Sequence, residues 1–259
     1  MKAIDRIYYT RTKHPEQFLD LYLPDGDTFP VFIYFHGGGL TRKGPVGGQR
    51  QPENLPPTFQ YLLSKGVAVI YAEYRCYPEA CYPEFIVDAA SVVKWAKEHM
   101  SEYGNITGYF VGGASAGGYL TQMLCFDKKY LGKHNIDPDS IDGYIMDAGQ
   151  PTAHFNVLKE RGFDSRRVII DETAPLYHVT ADRDYPPMQI IVAEHDMRNR
   201  FEQTQLLMST LKHMGCPEDK IDYRFMPGYK HCEYRKFDDE NGDNILGKTY
   251  YEFICNTLK

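Results

Sequence analysis

Tyr109-Phe110-Val111-Gly112-Gly113-Ala114-Ser115-Ala116-Gly117-Gly118 is the stretch whose reading decides the fold. Its first three residues are a short apolar run of the kind that forms a buried strand, and from Ala116 onward the spacing becomes helical. Between them lies Gly113-Ala114-Ser115-Ala116-Gly117, a serine with glycine two places to either side. A strand that turns at once into a helix holds the residue at its apex in strained backbone angles, and side chains flanking it would strike the strand and helix. Glycine at 113 and 117 removes that clash, and Gly112 and Gly118 reinforce the reading. The alternative is a small-residue loop that cradles a phosphate or simply packs. The strand–turn–helix context favours a serine nucleophile, Ser115.

Outward from this turn the chain alternates between two kinds of segment. Val31–Phe35, Val67–Tyr71, Ile141–Met146 and Met188–Ala193 are short apolar runs, the pattern of strands covered on both faces of a parallel sheet. Phe85–Met100, Ala116–Leu131, Phe201–Met214 and Ile245–Leu258 carry apolar residues at helical spacing. Leu19–Leu23 alternates and ends at Pro24-Asp25-Gly26-Asp27, an antiparallel strand and turn expected to pair with 4–10. Strands alternating with helices specify right-handed βαβ units. The expectation is one α/β domain over residues 1–259, with about eight mostly parallel strands, antiparallel at the first edge. Two stretches at about 41–57 and 149–187 fit no long element. Both follow strands, so they are expected to wall a ligand site at the strands' C-terminal ends.

The remaining chemistry is read around that rim. His36-Gly37-Gly38-Gly39 ends the strand Val31–Phe35. Acyl transfer builds negative charge on a carbonyl oxygen, and fixed backbone N–H groups stabilise it by roughly 10²–10³ in rate per donor. Gly38, Gly39 and Ala116 are the expected donors, with His36 and Gly37 anchoring the loop. A base should follow the nucleophile, and of the later histidines His231 sits past the strand Ile221–Met226 in Pro227-Gly228-Tyr229-Lys230-His231-Cys232. Asp196, just beyond the strand Met188–Ala193, is the expected acid that orients the base. Glu194, Asp182 and Asp184 compete for that role, and capping the helix from Phe201 is the plain alternative for Asp196.

Composition narrows the function classes. The formal charge is −6 and no basic stretch stands out, which argues against nucleic acid or an anionic membrane as partner. The chain has 21 tyrosines but one tryptophan, a surface suited to polar ligands. The start, Met1-Lys2-Ala3-Ile4-Asp5-Arg6, carries no signal-peptide pattern, and no window approaches the roughly 18 apolar residues of a membrane span. A soluble, cytoplasmic protein is expected. The six cysteines (76, 81, 125, 216, 232 and 255) are irregularly spaced and read as free thiols, with Cys76 and Cys81 the one pair near enough to check. The histidines are scattered, so neither a metal nor another cofactor is expected.

With these pieces in order, the chain resembles the hormone-sensitive-lipase-like and acetylxylan/feruloyl-esterase-like branches of the α/β-hydrolases. His36–Gly39 and Gly113–Gly118 match their paired signatures. Tyr74-Arg75, Pro78-Glu79, Pro83 and Asp88 are similar to a segment after the fourth strand, and Ala174–Val179 to the stretch before the acid strand. The likeness runs from about Val31 to His231. Two departures stand out: Ala114 precedes the nucleophile where Asp or His is usual, and Leu40 replaces a common Trp. The resemblance implies an α/β-hydrolase fold and a serine carboxylesterase working through an acyl-enzyme. With the sheet expected to begin near Ile4, no large cap domain is expected. A capless site disfavours long acyl chains, which need apolar walls to gain about 0.8 kcal/mol per CH₂. The substrate expected is a short-acyl ester, with acetyl groups on plant oligosaccharides as one instance. An arylformamidase or small amidase is the runner-up, and a non-catalytic binding homologue a reading from another class. An exposed edge strand or the last helix offers a surface for pairing two copies.

Overall fold

The computed structural model describes residues 1–41 and 54–259. Eight strands form one sheet: β1 (Lys2–Tyr8), β2 (Phe18–Leu23), β3 (Thr28–Phe35), β4 (Ala68–Ala72), β5 (Asn105–Ala114), β6 (Gly143–Asp147), β7 (Met188–His195) and β8 (Ile221–Lys230). Their order across the sheet is β1-β2-β4-β3-β5-β6-β7-β8. β2 is antiparallel to both β1 and β4, and every later pairing is parallel. This is the α/β-hydrolase arrangement, and no cap domain sits over the sheet among the described residues. β3 and β5 are neighbours, with Phe35 opposite Gly113, so the His-Gly-Gly-Gly segment and the Ser115 turn leave the sheet side by side.

Side-chain alternation distributes the core onto two faces. Val31, Ile33 and Phe35 of β3 join one apolar cluster with Ile86, Val93, Leu120 and Leu124. Those partners come from α2 (Glu84–His99) and α3 (Ala116–Phe126). Phe32 and Tyr34 point the other way, to a cluster with Phe59, Leu62, Tyr250 and Phe253. These belong to α1 (Pro57–Ser64) and α7 (Ile245–Thr257). Burial on both faces is why these strands read as continuous apolar runs.

Three details add to or depart from the sequence reading. The helix expected over Ala116–Leu131 is two, because Asp127 adopts an extended backbone and its carboxylate accepts from Lys129 N–H, capping α4 (Lys128–Gly132). The wall at 149–187, which fits no long element in sequence, contains one short α-helix, α5 (Phe155–Glu160). The strand expected to stop at Met226 continues to Lys230, with a register irregularity against β7 between Ala193 and His195. The loop expected at about 41–57 lies largely outside the described residues, and α1 begins at its end. The last long helix before β8 is α6 (Arg200–His213). Among the described residues no helix is long and apolar enough to cross a membrane. Cys76 is buried and Cys81 exposed, and both are free thiols.

Candidate active site

The turn between β5 and α3 owes its shape to excluded volume. Ser115 has φ 57° and ψ −110°, a strained combination for a residue with a side chain. A Cβ on Gly117 would lie 1.9 Å from the Phe35 carbonyl oxygen, and one on Gly113 would lie 2.5 Å from the Gly117 carbonyl carbon. Only glycine lets strand and helix approach this closely. The Ser115 N–H donates to the Asp147 carbonyl at the end of β6 (2.8 Å), tying the turn to the next strand.

Two side chains from the β7–β8 edge form a line that ends on Ser115. His231 Nε2 lies 2.8 Å from Ser115 Oγ, and His231 Nδ1 lies 2.6 Å from Asp196 Oδ1. With Nδ1–H donating to the carboxylate, Nε2 is left as the acceptor for the serine hydroxyl. Asp196 is fully buried as a side chain and His231 a quarter exposed. Burial raises the pKa of Asp196, but the hydrogen bond and charge of His231, the Met197 N–H and Arg200 outweigh it and hold the carboxyl below its ordinary range. The competing Glu194 turns away, accepting from Gly228 N–H at 2.7 Å. Asp182 and Asp184 are exposed, and Asp184 lies 3.9 Å from Lys220.

The glycine segment after β3 packs directly on the serine turn. A Cβ on Gly37 would be 3.0 Å from the Ala114 carbonyl oxygen and 3.3 Å from Ser115 Cβ. Gly38 and Gly39 have positive φ, and neither their N–H groups nor that of Ala116 is hydrogen-bonded among the described residues. Ala116 opens α3, where the first amides of a helix have no internal partner. His36 is buried: Nδ1 meets the Gly37 carbonyl at 2.6 Å, Nε2 lies 3.3 Å from Glu73, and the ring stacks on Tyr74 at 4.5 Å. It anchors the segment and does not touch Ser115.

Several contributors carry no signal in the sequence. Asn156 of α5 donates to the Gly39 carbonyl at 2.5 Å, bracing the glycine segment from the opposite wall. Asp147 is buried beneath the site and accepts from Tyr234 and, at 3.0 Å, from Tyr250. Its burial pushes its pKa up to about 6, against the pull of those two hydroxyls and of His231. Arg200 is buried at 4% exposure and donates to the Ala148 carbonyl and to Gln150, at 3.4 Å for the latter. A cavity of about 960 Å³ opens on Ser115 and His231, lined among others by Tyr34, Tyr71, Phe59 and Tyr250.

Fold and site define the class as an α/β-hydrolase with a serine at the strand–helix turn. The family model described as BD-FAE matches residues 19–159, more than half of the chain, and the protein belongs to that family. Esterase LipC of Mycobacterium tuberculosis is 24% identical over 221 residues, covering 78% of this chain and 52% of LipC. The chain thus spans about half the length of that relative. The versiconal hemiacetal acetate esterase of Aspergillus parasiticus is 25% identical over 79% of this chain and 67% of its own. A truncated carbohydrate esterase from gut microbiota superposes with a TM-score of 0.79 at 17% identity, covering 100% of this chain and 96% of that one.

Proposed function

We propose that this protein is a serine esterase acting on short-acyl esters through an acyl-enzyme. Ser115 Oγ attacks the ester carbonyl while His231 Nε2 takes its proton. Asp196 holds the imidazole in the required tautomer and stabilises the imidazolium as it forms. The N–H groups of Gly38, Gly39 and Ala116 receive the developing oxyanion. His231 then returns its proton to the leaving oxygen, and water, activated by the same imidazole, releases the acid. The observation that carries this reading is the continuous line of two short hydrogen bonds from Asp196 through His231 to Ser115, beside amides with no hydrogen-bond partner among the described residues.

The short acyl group is supported by the open architecture: among the described residues no cap domain closes over Ser115 to form a tunnel that would cover the methylenes of a long chain. The breadth of the cavity and its aromatic rings suit a sugar ring, so acetylated oligosaccharides are the proposed substrates. The carbohydrate esterase among the structural neighbours and the acetate esterase among the relatives are consistent with that class.

A chain-length series of nitrophenyl esters, run alongside acetylated xylo-oligosaccharides, is the test. Acetate and propionate esters are expected to be the best of the series, and a maximum at eight carbons or more overturns the short-acyl reading. Ser115→Ala is expected to abolish labelling by a fluorophosphonate probe. Persistent labelling would place the nucleophile elsewhere.

A further inference from the structure

The protein as a whole is acidic, with 35 carboxylate residues against 29 lysines and arginines. Its substrate cleft is the opposite. A second cavity of about 560 Å³ adjoins the first, and the two share Phe155 and Met197 as lining residues. Among the described residues that line either cavity there is no aspartate or glutamate. Arg235 and Lys236 line the first cavity, and Arg166, Arg167, Arg198 and the buried Arg200 line the second.

These cations are not equally engaged. Arg166 is paired with Asp164 at 2.6 Å, and Arg200 is committed to the Ala148 carbonyl and Gln150. Arg167, Arg198, Arg235 and Lys236 have no ion pair among the described residues. Arg167 lies near the Phe163 ring, 5.6 Å from its centroid. Among the described residues, four cations without an ion pair gather on cavity walls that carry no carboxylate, in an otherwise acidic protein. This favours a positive potential there, which raises the local concentration of anions and orients them. Guanidinium groups also match a carboxylate in shape, donating two parallel hydrogen bonds to it.

Position narrows the anion to one part of the substrate. Met197 lines both cavities and Arg198 follows it, so the second cavity continues from the first along the loop that carries Asp196, the hydrogen-bond partner of His231. His231 must protonate the departing oxygen, so the leaving group lies on its side. Resting on the esterase reading above, we propose that the second cavity is a leaving-group subsite. There Arg167 and Arg198 bind a carboxylate carried by the alcohol or phenol half of the ester. A uronate in an acidic oligosaccharide and a carboxylated phenol both present that chemistry.

The test compares 4-acetoxybenzoate with its neutral amide, 4-acetoxybenzamide, each kcat/KM divided by the rate of the same ester with hydroxide. The corrected ratio is expected to favour the carboxylate by about tenfold or more at low salt and to shrink as ionic strength approaches 1 M, where the screening length is about 3 Å. The double variant Arg167→Gln/Arg198→Gln is expected to bring the ratio close to one, and Arg198→Glu alone to invert it. Lys212→Gln, on the distant end of α6 and paired with Glu218, leaves the ratio as it is. A wild-type ratio near one, or a ratio that survives the double variant, overturns the proposal. An acetylated uronate-containing oligosaccharide set against a neutral acetylated xylo-oligosaccharide identifies the source. Preference there supports the saccharide, and preference confined to the aryl ester supports a phenolic acid. Absence of hydrolysis of every ester, with Ser115 unlabelled, would instead defeat the esterase reading. Turnover of the neutral ester without anion preference defeats the subsite alone.

Discussion

The two halves of the candidate active site are built in different ways. The half that carries Ser115 occupies the centre of the sheet, where β5 runs between β3 and β6 and every residue of α3 is buried. Its shape follows from sterics among consecutive residues. The half that carries His231 hangs from the β7–β8 edge, where β8 is mostly half-buried or exposed. There geometry depends on side-chain hydrogen bonds between distant segments: Asp196 with His231, Glu194 with Gly228 N–H, and Asp147 with Tyr234, three residues past His231. A site can thus be rigid by crowding on one side and by bonding on the other. Changes in the two halves should fail differently, the first in folding and the second in catalysis.

Asp196→Asn probes the bonded half most severely. The amide no longer favours the working tautomer of His231, and kcat is expected to fall by about 10⁴-fold with little change in melting temperature. A loss below tenfold would show that His231 is oriented by something else. Gly117→Ala probes the crowded half. With its Cβ directed at the Phe35 carbonyl, it is expected to cost about 3 kcal/mol or more in chemical denaturation, with soluble yield falling in parallel. A stable, active variant would break the contrast between the two halves.

Asp147 joins the two, since its backbone carbonyl holds Ser115 and its carboxylate holds Tyr234 and Tyr250. Its folded pKa of about 6 stands above the ordinary 3.8. Between about pH 4 and 6 the folded protein therefore keeps a proton that the unfolded chain releases, and stability falls as pH rises through that window. Below pH 4 both states are protonated and the cost vanishes. Above pH 6 it reaches its full size, on the order of 3 kcal/mol. Asp147→Asn carries no such cost, so its melting temperature should rise relative to the parent's from pH 4 to 6. A constant difference would refute the assignment. The smallest effect is expected at the opposite wall. Asn156→Ala removes one hydrogen bond to Gly39 and should lower kcat by about fivefold, roughly 1 kcal/mol, with KM nearly unchanged. An equal loss in KM would assign Asn156 to substrate binding instead.

Much of the fold was legible because its strands are continuous apolar runs between helical patterns. All eight appear within a few residues of their expected bounds. The break at Asp127 was hidden because the apolar spacing of α3 runs on into α4. The helix Pro57–Ser64 was missed because it is short, and its partners Gly247 and Asn244 lie at the other end of the chain. Ser115 and the residues His36–Gly39 could be picked out because each constellation is consecutive in sequence. Asn156, Asp147, Tyr234 and the unpaired Arg167 and Arg198 could not, since nothing near them in sequence says what they face.

By itself the sequence determined the strands, the long helices, the turn at Ser115 and the mostly parallel character of the sheet, because these follow from local sterics and from which residues must leave water. Only the tertiary structure decided how Asp196, His231 and Ser115, separated by up to 116 residues, share one hydrogen-bonded line. It also decided that Arg167, Arg198, Arg235 and Lys236 of an acidic chain come to line two adjoining cavities, one of them at Ser115. Those are matters of strand register and loop packing, and they depend on distances that sequence spacing does not encode.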